Sequence, residues 1–135
     1  MPKYTESIHT LALVGHGGTG KTTLAEALLH KSGAIASPGS VEKGTTVCDF
    51  DPMEKEYGHS LGSSLVNFAW EDMRIHLIDT PGMPDFAGQS IAALAAVETA
   101  VVVINAQNGI ELNTTRMMKW ARNRGLCRMI VVNKI

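Results

Sequence analysis

No apolar run in this sequence approaches the ~18 residues that a membrane-spanning helix requires, and none of its segments is expected to cross a bilayer. Cysteine is scarce. Cys48 and Cys127 stand far apart and outside any C-x-x-C, which removes a disulfide framework and a thiolate zinc site and leaves two reduced thiols as the expectation. Neither sign of charge is in excess: twelve Lys and Arg against thirteen Asp and Glu leave a formal net charge of −1. General attraction to nucleic acid or to an anionic membrane is therefore not implied, and sequence-specific DNA binding is not expected. The opening "MPKYTESIHT" lacks the basic-then-apolar plan of a signal peptide, so a cytoplasmic location is the expectation. Internal repeats and linker-like stretches are missing too, and 135 residues fit one domain.

What is present alternates. Short apolar runs at 11–14 (LALV), 75–78 (IHLI), 100–104 (AVVVI) and 129–132 (MIVV) read as strands of a buried, mainly parallel sheet, and 64–70 (SLVNFAW) alternates like a half-exposed edge strand. Helix patterns lie between them, from Lys21, from Ser90 and from Leu112, with Gly33 and Gly125 placed to end the first and third. The expectation is a layered α/β fold with helices on both faces of the sheet. Residues 34–62 break the rhythm, and a loop of that length in a compact domain is functional or disordered.

"GHGGTGKT", Gly15 to Thr22, fits G-x-x-x-x-G-K-[ST] and falls after a strand and at the start of a helix, where a P-loop must be. Small residues let successive N–H groups of His16, Gly17, Gly18, Thr19 and Gly20 turn toward phosphate oxygens, and the helix N-terminus adds a favourable field. Lys21 would reach the β- and γ-phosphates, Thr22 would offer its hydroxyl to Mg²⁺, and Thr23 completes the run. The same letters satisfy the dinucleotide fingerprint G-x-G-x-x-G, but "SGAIASPGS" provides neither the second strand nor the ribose-binding carboxylate that reading needs. Asp79 ends a strand, as a carboxylate that holds Mg²⁺ beside a P-loop does, and Thr80-Pro81-Gly82 follows at once. A glycine after a rigid proline can offer its N–H to a γ-phosphate and report its presence.

"GHGGTGKTT", "DTPGMPDF" and the final "VVNKI" together resemble the P-loop, switch II and guanine-recognition motifs of translational GTPases, most closely the G domain of elongation factor G and its paralogues. The resemblance spans the chain, because "VCDFDPMEKEYGHSL" is similar to the family's switch I stretch, with Ser60 at the position of the switch Thr or Ser that contacts Mg²⁺. It implies a P-loop NTPase domain over 1–135, with switch I about 34–62 and switch II about 79–97. It further implies GTP or GDP with Mg²⁺ as ligands, Asn133 and Lys134 on the guanine side, the ribosome as partner of the whole factor, and GTP hydrolysis in translation elongation.

The chain departs from that family at four places. Met83 stands where the family has a His, or in paralogues a Tyr, that orients the attacking water, and a thioether is a weak acceptor with no proton to give. Tyr57 replaces the switch I Arg and His59 an apolar residue; Gly18 replaces an Asp common in the P-loop. The family's N-K-x-D stops here at Asn133, Lys134, Ile135, so a domain truncated at its C-terminal end, a fragment of a longer factor, is the expectation. Lys21, Gly82 and Met83 are thus the residues expected nearest the chemistry. His16 is read as structural in its ring; His9, His30 and His76 have no ligand spacing; Arg116, Lys119, Arg122 and Arg124 read as a solvated face; Met117, Met118 and Trp120 read as core.

Three functions compete: a Mg²⁺-dependent GTPase, a nucleotide switch that barely hydrolyses because of Met83, and a P-loop ATPase. The third is favoured only by the missing guanine-reading carboxylate. Without that group guanine's N–H donors meet no charged acceptor, so the 135-residue chain should bind nucleotide weakly and discriminate poorly between GTP and ATP. Competition calorimetry checks this, and a strong preference for GTP would mean that the base is read elsewhere.

Overall fold

The computed structural model describes residues 7–48 and 60–135. Five strands, β1 (Ile8–Gly15), β2 (Ser64–Trp70), β3 (Met73–Asp79), β4 (Thr99–Asn105) and β5 (Cys127–Asn133), form one sheet in the order β2-β3-β1-β4-β5. All pairs are parallel except β2 with β3, a hairpin whose reversal at Glu71 uses a positive φ. Helix α1 (Lys21–Lys31) connects β1 toward the hairpin; α2 (Ala87–Leu94) and α3 (Leu112–Asn123) flank β4 in sequence.

Period-two alternation in the central strands builds two cores. Ala12, Val14, Ala100 and Val102 point to one face and pack with Leu94 of α2 and with Met117 and Ala121 of α3. Leu13, Leu77, Val101 and Val103 point to the other, against Ala25 and Leu29 of α1 and against Val66 and Phe68 of the hairpin. This is the layered α/β fold the sequence implies, with β2 on an edge. Cys48 is buried and Cys127 exposed, and among the described residues no disulfide forms. Among the described residues no helix is long and apolar enough to cross a membrane.

Three expectations are corrected. β5 is not a buried strand: Met129, Ile130 and Val132 are 56%, 56% and 52% exposed, because β5 pairs only with β4 and among the described residues nothing lies beyond it. Helix α2 begins three residues earlier than its apolar repeat, running on from a 3₁₀ turn at Pro84–Phe86, and it stops at Leu94 where short i→i−3 bonds from Ala95 and Ala96 tighten the chain. Trp120 is not core. It is 41% exposed, and the Arg124 guanidinium lies over its ring, 5.9 Å from the centroid. Met117 is fully buried and Met118 packs beside it, as expected. Of the irregular stretch 34–62, residues 34–48 hold no helix or strand, while 49–59, with Tyr57 and His59, lie outside the described residues.

Candidate functional site

Parallel pairing sets the C-terminal ends of β1, β3 and β4 side by side. In that register Leu13 lies opposite Asp79 and Gly15 opposite Val103, so the loops after β1 and β3 leave the sheet as neighbours. A cleft of about 510 Å³ opens there. Its floor is Gly17, Gly18, Gly20, Lys21, Thr22 and Thr23. Ser60, Gly82, Met83 and Lys134 stand around it, and Gly39–Glu42 form a further wall.

The floor is built to receive an anion. Gly20 caps α1 with φ 88°, a left-handed conformation that disfavours any side chain. No side chain caps the helix and no acidic residue sits in its first turn, so the free N–H groups of that turn and the positive end of the helix dipole face the cleft. Lys21 is 6% exposed and its Nζ donates to the His16 carbonyl at 2.8 Å. Burial lowers its pKa from 10.5 to about 8, against the opposing pull of the Asp79 carboxylate. Thr19 is buried beneath the loop and donates its hydroxyl to the same carbonyl at 3.1 Å. His16 therefore contributes its backbone; its ring turns away, with Nε2 3.6 Å from Glu111 Oε1.

Three oxygen-bearing side chains from three different segments meet at one corner. Thr22 Oγ1 donates to Asp79 Oδ2 at 2.6 Å and lies 3.3 Å from Ser60 Oγ. Two hydroxyls and a buried carboxylate form a hard, all-oxygen set of the kind that suits Mg²⁺, which takes few protein ligands and completes its shell with water and phosphate. On the opposite side Asn133 Nδ2 donates to the Thr19 carbonyl at 3.0 Å and so ties the end of β5 to the P-loop. Lys134 follows with φ 57° and lines the cleft. Met83 places its sulfur against the Gly17 backbone: a methyl group added at Gly17 would come within 3.2 Å of it.

The structure thus brings together the residues that the sequence nominates for the site, from four separate segments. Four further groups were not legible. Glu26 is 1% exposed in α1, and its carboxylate accepts the Gly39 N–H at 2.8 Å and the Val47 N–H at 2.5 Å, which pins the Gly39–Glu42 wall in place. A glutamate on a helix reads as solvated until that loop folds over it. Thr80, Ser90 and Asn113 hold the loop after β3, through the carbonyls of Leu13 (2.7 Å), Pro81 (2.9 Å) and Gly82 (2.9 Å). The turn signal Thr-Pro-Gly marks that loop but says nothing of what holds it.

A phosphate cradle, an oxygen corner beside it and an Asn-Lys pair docked on its far side define a P-loop nucleotide-binding domain of the GTPase type. A family model of the elongation factor Tu GTP binding domain matches residues 6–135, and the chain belongs to that family. It is 38% identical to the tetracycline resistance protein TetO of Streptococcus mutans over 128 residues, covering 95% of this chain and 20% of that protein. It is 39% identical to an elongation factor G-like protein of Mycobacterium tuberculosis (strain H37Rv), covering 95% of this chain and 18% of that one. A crystal structure of a Thermus thermophilus protein superposes with a TM-score of 0.92 at 42% identity, over 95% of this chain and 19% of that chain. The chain therefore spans about a fifth of the length of the relatives it matches.

The depressed Lys21 pKa has opposite consequences for folding and for binding. Below pH about 8 the folded protein carries the cost of a buried ammonium; between about 8 and 10.5 the folded state binds fewer protons than the unfolded chain, so stability rises with pH in that window. Phosphate binding needs the charged form, so affinity for GDP falls as pH rises through about 8. Lys21→Ala should weaken GDP binding by about tenfold or more, the worth of one charged hydrogen bond, and should abolish this pH dependence. Calorimetry from pH 7 to pH 9.5 checks both, and an unchanged affinity in the variant would remove Lys21 from the site.

Proposed function

We propose that this chain is the nucleotide-binding part of an elongation factor G-like translational GTPase. It binds GTP and GDP with Mg²⁺ in the cleft over Gly17–Thr23, and it hydrolyses GTP at a ribosome-linked step of translation elongation, in the cytoplasm. The observation that carries the reading is the meeting of Thr22, Asp79 and Ser60 at 2.6 and 3.3 Å beside a cradle whose lysine is buried and aimed inward. Thr22, Ser60 and Asp79 would hold Mg²⁺, directly or through water, and the ion when bound neutralises charge on the phosphate oxygens. Lys21 and the N–H groups of the loop bind and orient the phosphates. Asn133 holds the base-side loop on Thr19, and Lys134 lines the cleft where the base would enter. The Asn-Lys pair at the end of β5, tied to the P-loop through the Thr19 carbonyl, supports a guanine nucleotide over an ATPase reading.

The second reading, a switch that binds nucleotide and hydrolyses it negligibly, is favoured by one feature. Met83 packs its sulfur on Gly17, and a thioether there excludes water without orienting it. Phosphoryl transfer depends mainly on positioning and electrostatics, so the deficit falls on rate and leaves binding intact. Met83→His, assayed beside the unmodified chain with saturating GTP and Mg²⁺, tests it. A single-turnover rate raised by about 10²-fold or more matches the typical worth of a positioned acid–base group and establishes Met83 as the missing group. Equal rates would mean that the water is organised by other atoms of the site, Gly82 and Ser60 first among them.

A further inference from the structure

The wall of the cleft at Gly39–Glu42 belongs to a small loop, residues 39–47, that is closed on itself. Thr45 donates its N–H to the Ser40 carbonyl at 3.1 Å, Ser40 donates its own to Thr45 Oγ1 at 2.9 Å, and Gly44 donates to the Val41 carbonyl at 3.1 Å. The two ends lie so close that a methyl group added at Gly39 would strike the Thr45 carbonyl and come within 2.6 Å of the Thr46 Cα. A loop bonded internally in this way is positioned by whatever holds its base.

One carboxylate holds both ends of that base. Glu26 is 1% exposed; its Oε2 accepts the Gly39 N–H at 2.8 Å and its Oε1 the Val47 N–H at 2.5 Å. Burying a carboxylate is costly unless it is hydrogen-bonded, and here the loop supplies the bonds. Opening the wall would strip both from one side chain at once. Beyond Val47 the chain is fastened again, where Ser64 of β2 donates its hydroxyl to the carbonyl of the buried Cys48 at 2.5 Å.

Glu26 stands on the same helix as Lys21, about a turn and a half further on. Helix α1 therefore carries the floor of the cleft at its start and the anchor of the wall in its middle, which fixes the gap between Gly18–Thr23 and Ser40–Glu42. Neither Glu26 bond involves a phosphate, so the wall is held equally for a diphosphate.

We propose that Glu26 is a positioning residue for the nucleotide: by clamping both ends of the 39–47 loop it keeps the Ser40–Glu42 wall over the phosphate cradle and sets how long nucleotide stays bound. The proposal rests on the GTPase reading above and adds to it the side chain that governs release.

Glu26→Gln tests it. The amide keeps the volume and one acceptor but turns an NH₂ group toward the other backbone N–H. The dissociation rate of a fluorescent GDP derivative, chased with unlabelled GDP, should rise about tenfold, the worth of one charged hydrogen bond, while its association rate stays within about twofold. A merely structural role would lower thermal stability and leave the dissociation rate where it was, which overturns the proposal. Gly39→Ala opens the base of the loop from outside both cores and leaves the carboxylate in place; it should speed dissociation in the same way, and an unmoved rate there also overturns the proposal. Hydrogen exchange on the unmodified chain without nucleotide gives a third reading. The Gly39 and Val47 amides should be protected, and exchange as fast as in an open loop would overturn the clamp. If the unmodified chain binds no GDP, the GTPase reading falls and the role of Glu26 with it; binding with unmoved dissociation in the variants removes that role alone.

Discussion

The parallel pairing of β1 with β3 is the constraint on which the rest depends. It sets Leu13 opposite Asp79, so the P-loop leaving β1 and the Thr-Pro-Gly loop leaving β3 emerge from the same edge of the sheet, already in contact. The hydroxyl of Thr80 closes that junction on the Leu13 carbonyl at 2.7 Å. A shift of one residue in this register would turn Leu77 out of its core and carry Asp79 away from Thr22, so packing and site geometry are specified by the same hydrophobic alternation.

Around that junction the site is held in strained readiness. A lysine is buried against a desolvation cost, a carboxylate is buried behind a hydroxyl, and a helix begins without a cap. Each of these would be poor design in a structural element and each is relieved by a phosphate anion or a cation. The walls are secured separately: Glu26 pins Gly39–Glu42, Asn133 pins the end of β5, and Asn113 pins Gly82. The walls of the cleft thus hang from polar side chains carried on helices and on the end of the sheet.

The sequence shows the elements and the motifs far better than it shows these pins. Strand alternation, the helix-ending Gly33 and Gly125, and the spacing of Gly15 to Thr22 are local patterns, and the structure follows them. Glu26 and Asn113 have no local signature, because each takes its role from a backbone group reached only through the tertiary fold, 13 and 31 residues away along the chain. Trp120 misleads for a related reason. Its spacing from Met117 matches an apolar stripe, but the stripe turns off the sheet by that point and the indole is shared with Arg124 at the surface. The apolar letters of β5 imply burial that one neighbouring strand does not supply.

The central claim is that residues 17–23 form a phosphate cradle opened on one side by an oxygen corner. Amide chemical-shift mapping of the chain titrated with GDP and Mg²⁺ tests it most directly. The account predicts that the largest shifts fall on Gly17 to Thr23, with a second group at Ser60 and Asp79 that appears only when Mg²⁺ is present. Shifts centred elsewhere on the sheet, or no response to a diphosphate at millimolar concentration, would contradict it.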